Sequence, residues 1–181
     1  MRQPGSILLI SCYELGHQPL GIAAPMGFLE RAGFSPTGLD IARETFDERR
    51  VAPARFVGIS VPMHTALRLG VELARQVRTI NPGCHICFYG LYAVLNADYL
   101  LEQGGDSCIG GEFEGPLDQL VLALESGRSG PIEGVIEGGQ RADPSLRRLP
   151  FAVPSRDRLP PLEEAIRTVI GHFRTGQSWA R

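Results

Sequence analysis

Over the first 126 residues, short apolar runs alternate with longer stretches that are apolar on one side only. The runs fall at residues 6–12, 34–40, 56–61, 85–89 and 106–110. Several are nearly continuous, as strands are when both sheet faces are covered. Between them the period lengthens. Residues 20–32 place Ile22, Met26 and Leu29 on one stripe, and Gly33 follows as a stop. Residues 65–80 align Leu67, Val71, Ala74 and Val77, and then meet Asn81-Pro82-Gly83. Helices are also predicted at 92–103 and 115–124, closed by Gly104-Gly105 and Gly127, whereas the polar stretch 42–52 predicts a short helix at most. Strands alternating with helices at this spacing predict an α/β fold. We expect a doubly wound five-stranded parallel sheet, flavodoxin-like in order 2-1-3-4-5.

Past residue 127 the pattern changes. Residues 128–181 are rich in Gly, Pro and Arg, so the chain divides into an α/β domain at 1–127 and a linker. A terminal helix is expected at 162–173, with Ile166, Val169, Ile170 and Phe173 on one face.

Composition narrows the function classes. The 181 residues carry a net charge of −2, which gives no electrostatic case for nucleic acid or an anionic membrane. All 18 basic residues are arginine, so chemistry that needs a lysine is excluded. The chain offers neither a secretory signal nor a membrane-spanning run, so a cytoplasmic location with four reduced cysteines is expected. Cys84 and Cys87 form a C-x-x-C pair at the start of a strand, where residues three apart face opposite ways. Redox C-x-x-C motifs open helices, and no second pair completes a zinc site, so both cysteines read as core.

In an open parallel sheet, ligands bind beyond the carboxyl ends of the strands. The informative residues therefore follow each strand: Tyr13, Glu14, His17, Gln18 and Gly21 after the first; Ser60, Pro62, His64 and Thr65 at the third; Gly90 and Tyr92 after the fourth; Gly111, Glu112 and Glu114 after the fifth. We read these fourteen as candidate cofactor-binding residues, with no catalytic or metal ligand among them. The set excludes a phosphorelay receiver, which needs an acidic pair and a lysine. A flavodoxin phosphate loop and a Rossmann G-x-G-x-x-G are also absent.

Three segments carry a family resemblance: Pro19-Leu20-Gly21 at a helix start, the strand Val57-Gly58-Ile59-Ser60, and Gly110-Gly111-Glu112-Phe113-Glu114. Across about residues 6–124 the chain resembles the N-terminal cobalamin-binding domain of radical S-adenosylmethionine proteins. The loops at 13–21, 60–66 and 87–92 further resemble a subgroup named for a CUAEP or CCAEP tail. The resemblance implies a corrin ring over the carboxyl edge of the sheet, with its nucleotide tail beside the first and third strands. It also implies a radical S-adenosylmethionine domain as partner, in cis or in trans. Three motifs depart from the family pattern. Aligning D-x-H-x-x-G on Gly21 puts Gly16 and Gln18 at the Asp and His positions, with His17 one residue out of register. The family's S-x-L reads Ser60-Val61-Pro62, and its Gly-Gly reads Tyr89-Gly90. The family's C-x-x-x-C-x-x-C motif is missing, so an iron–sulfur cluster is not supported in this chain.

Each candidate also has a plainer role. His17 either contacts the ligand or bonds Glu14 and orders its loop, and His64 either contacts it or begins a solvated helix. Glu112 and Glu114 line the site or cap the next helix. Tyr92 either stacks on a ligand or packs under its helix. Two alternatives to a cobalamin-binding domain remain at this point: a cofactor-free module that docks on a partner chain, and a small hydrolase or transferase using His17, His64 and the two glutamates. The last lacks a G-x-S-x-G elbow.

Overall fold

The computed structural model describes residues 1–14, 17–138, 150–157 and 159–161. The helix expected at 162–173 lies outside the described residues, as do Leu15 and Gly16 of the first loop. Among the described residues six strands form one sheet: β1 (Ile7–Ser11), β2 (Thr37–Asp40), β3 (Phe56–Ser60), β4 (His85–Tyr89), β5 (Ser107–Ile109) and β6 (Val135–Ile136). The order is β2-β1-β3-β4-β5-β6, and β1 to β5 are parallel. This is the expected doubly wound arrangement with one correction. The sheet has six strands rather than five, and the sixth runs antiparallel to β5. Two residues carry no readable periodicity, but they cover the open edge of a three-residue strand. The sheet therefore continues beyond residue 127.

The helices are α1 (Leu20–Arg31), α2 (Glu48–Val51), α3 (His64–Ile80), α4 (Leu91–Leu95), α5 (Ala97–Glu102) and α6 (Glu114–Ser126). The stretch expected as a single helix at 92–103 is two helices broken at Asn96, whose amide side chain donates to the Tyr92 carbonyl (2.8 Å). Strand alternation sorts side chains onto two cores. Leu8, Ile10, Val57, Ile59, Ile86 and Phe88 meet Leu67, Val71, Ala74 and Val77 of α3. On the other face Ile7, Leu9, Phe56, Cys87 and Tyr89 meet Ile22, Met26 and Leu29 of α1, and Leu117 and Leu120 of α6. Cys84 and Cys87 fall in opposite cores; all four cysteines are free and buried, and burial pushes the Cys84 thiol up to about 12. No helix among the described residues is long and apolar enough to cross a membrane.

Residues 150–157 and 159–161 lie along α1 as a strap. The Ser155 amide donates to the Ala23 carbonyl (2.8 Å), and the Ser155 hydroxyl to Glu30 (3.0 Å). Arg31 donates to the Pro150 carbonyl (2.8 Å), and Leu159 is buried against Met26 and Gly38. The Val153 carbonyl crosses α1 where Gly27 has no side chain; a Cβ there would overlap it.

Candidate functional site

Parallel strands end on the same side, so the four loops that follow β1, β3, β4 and β5 converge on one rim. The last residues of the strands stand in register: Asp40, Ser11, Ser60, Tyr89 and Ile109. Beside them α1 begins at an unusual N-terminus. Its N-cap is Pro19, which makes no side-chain cap. The carboxylate of Glu14 does that work from the preceding loop, accepting the Gly21 amide at 3.0 and 3.3 Å. The Ser11 hydroxyl lies beside it without a hydrogen bond of good geometry. Burial raises the Glu14 pKa, against the lowering effect of the Gly21 and Leu20 amides. A side chain at Gly21 would overlap both Glu14 and the Ser60 hydroxyl.

The Gly21 carbonyl raises a second problem. Its helical partner would be the amide four residues on, but that residue is Pro25, which has none. The phenol of Tyr89 supplies the missing bond, donating to the Gly21 carbonyl at 2.8 Å. Burial holds the Tyr89 pKa well above its usual value, so the phenol stays protonated and can donate. To reach Gly21 the ring passes over β3, where Gly58 leaves room for it: a Cβ at Gly58 would stand 3.1 Å from Tyr89 Cε1. Phe113 closes the other side, with ring centroids 4.9 Å apart and planes at 43°. Tyr89 is fully buried.

The fourteen sequence-derived residues divide into two layers. At the surface are His17, His64, Thr65, Gly111 and Glu112, all exposed, with Tyr13, Gln18 and Pro62 half-buried. Beneath them Glu14, Gly21, Ser60, Gly90 and Glu114 are part-buried or buried. Gly90 adopts φ 110°, and a Cβ there would press on the Val61 carbonyl at 3.1 Å. Glu114 begins α6, and burial raises the pKa of its carboxyl against the lowering effect of its own backbone amide. Tyr92 packs against the α3-side core. His17 donates its backbone amide to the Glu14 carbonyl (3.0 Å), while the Glu14 carboxylate turns to α1. Gln18 is held by the strap: its amide donates to the Pro160 carbonyl (3.2 Å) and its oxygen accepts from Arg156 (2.8 Å). The rim also exposes Leu20 and Leu91, at 52% and 62%.

Sequence reasoning did not give Tyr89 or Phe113 a place in the site. The available signal was Pro25, four residues after Gly21, which predicts an orphaned carbonyl needing an outside donor. A hollow of about 610 Å³ lies at the opposite edge, bounded by Arg78, Asn81, His85 and Asp106. Its polar groups already have partners: Arg78 binds Asp106 (2.7 Å), and His85 Nε2 meets the Ser107 hydroxyl (2.8 Å). No cluster of three or more His, Cys, Asp or Glu poised for a metal ion occurs among the described residues.

These surfaces suit one part of a cobalamin and not another. To a broad flat ring the rim offers the backbone of Gly90 and Gly111 and the exposed side chains of Leu20 and Leu91. The place beside β1 and β3 that the resemblance gives the nucleotide tail is taken by the Tyr89 ring, which reaches over β3 to Gly21.

A family model described as the B12 binding domain matches residues 6–121. No curated protein matches the chain. Among solved structures, the radical S-adenosylmethionine methyltransferase TsrM from Kitasatospora setae with cobalamin and a [4Fe-4S] cluster bound is similar at TM-score 0.64 and 19% identity, over 85% of this chain. The same enzyme with tryptophan substrate and an S-adenosylmethionine analogue bound gives TM-score 0.62 and 19% identity over 76%. The chain spans 29% of the length of that enzyme. With the parallel sheet, its strand order and a match over most of the α/β portion, the chain belongs to the B12-binding domain family.

Proposed function

We propose that this chain is a corrinoid-binding domain that has no catalysis of its own and presents a cobalt to a radical S-adenosylmethionine domain, in cis or in trans. One observation carries the reading: four loops far apart in sequence meet at a single rim floored by Gly90 and Gly111 and flanked by exposed Leu20 and Leu91. A hydrophobic macrocycle would cover those leucines and gain the free energy of their burial. Gln18, Pro62, His64, Thr65, Gly90, Gly111 and Glu112 are the residues we assign to the ring's polar edge. Glu14, Gly21, Ser60 and Glu114 support them from below. Tyr13, His17 and Tyr92 belong to the same loops, and His17 stands exposed to whatever settles there. When bound, a corrinoid supplies a cobalt that can carry a methyl group. The loop likeness to the CUAEP/CCAEP-tail subgroup supports a parent protein of that kind.

The test is retention. The purified chain is mixed with hydroxocobalamin and desalted, and the protein fraction is scanned for corrin absorbance. We expect absorbance near one equivalent. Colourless protein with an intact circular dichroism spectrum overturns the proposal. A second reading, a cofactor-free docking module, is favoured by the filled recess under α1. It predicts colourless protein that co-migrates with a partner chain in size-exclusion chromatography.

A further inference from the structure

The recess that a nucleotide tail would need is closed by a side chain built to stay there. We propose that this domain takes corrinoids by the ring alone and leaves the nucleotide tail outside, so that Tyr89 makes it indifferent to whether a tail is present. The inference rests on the corrinoid reading above.

Three features make the closure part of the fold rather than an incidental side-chain position. The phenol replaces a backbone bond that Pro25 removes, so withdrawing it would leave the Gly21 carbonyl buried without a donor. Gly58 offers the ring its path across β3, since any larger residue would meet it. Phe113 then covers the ring from the β5 loop. A tail entering beside β1 and β3 must displace a fully buried tyrosine and break its hydrogen bond. The exposed rim above needs none of this. The closed recess therefore penalises the tail while leaving the ring's surface untouched.

The test compares two corrinoids that share the ring. Cobalamin carries the dimethylbenzimidazole nucleotide, and cobinamide lacks it. For the native chain, affinities measured by absorbance titration are expected to agree within about threefold. A native chain that prefers cobalamin by about tenfold or more overturns the proposal. Tyr89→Phe keeps the ring in place and should remain indifferent. Tyr89→Ala empties the recess and should come to prefer cobalamin, and an unchanged ratio in a folded Tyr89→Ala protein counts against the proposal. If neither corrinoid binds the native chain, the corrinoid reading itself fails, and the free dimethylbenzimidazole ribonucleotide then decides the fate of the recess. Ligand-observed NMR should show that nucleotide ignoring the native chain and engaging Tyr89→Ala. Binding to the native chain, or to neither protein, overturns the closure.

Discussion

Gly21 is held at both of its backbone groups, and neither holder is a neighbour in the helix. Glu14 takes its amide and Tyr89 its carbonyl. Removing either leaves a buried polar group unpaired, which has a definite cost. Tyr89→Phe should lower unfolding free energy by about 1–3 kcal/mol, read by urea denaturation. Glu14→Ala should cost about 1 kcal/mol, the usual worth of a helix N-terminal acceptor. Asp118 gives a pH signature. Burial pushes its carboxyl up to about 6, against the opposing pull of Arg31, and its Oδ1 has no hydrogen-bond partner. The folded chain thus holds that proton more tightly than the unfolded chain. The stability this lends is complete below about pH 4 and disappears as pH rises through about 6. Asp118→Asn should flatten the stability profile between those limits, and an unchanged profile would show that Asp118 titrates normally. At this scale Glu14 was visible in the sequence as a loop carboxylate. The role of Tyr89 was not, because it depends on a donor 68 positions away from its acceptor.

α1 shows what a pattern reveals and what it hides. Its apolar stripe of Ile22, Met26 and Leu29 is buried as the spacing requires, and Gly33 at φ 84° completes a Schellman turn with Phe34 donating to Leu29 (2.9 Å). Yet the helix carries Gly21, Pro25 and Gly27, and propensity alone would not sustain it. Tertiary partners do: Glu14 and Tyr89 at one end, the strap along its length. The strap was read as linker because its composition is rich in proline and it contacts α1 largely through carbonyls, which no side-chain pattern records. Leu159→Ala should therefore cost about 2–4 kcal/mol in chemical denaturation, a core penalty from a residue outside the expected domain. A cost below about 0.5 kcal/mol would mean that the strap does not pack on α1. The break between α4 and α5 at Asn96 was hidden for a related reason, since a helical period runs through it without interruption.

For the whole molecule, the strand order and the choice of rim were legible because they follow from burial. Runs buried on both faces must be parallel inner strands, and parallel strands place their exits together. What the pattern did not contain was whether the space beneath the rim is open. Tyr89 in place of a glycine and Pro25 four residues after Gly21 were the written signs, and their meaning required the position of α1. The central claim, that a corrinoid meets this rim, is tested most directly by amide hydrogen exchange on the full chain with and without hydroxocobalamin. We predict slowed exchange in the loops at 17–21, 61–65, 90–92 and 110–114, with the opposite edge at 52–55 and 81–85 unchanged. Protection confined to the opposite edge, or no protection at a concentration that saturates other corrinoid carriers, would contradict the account.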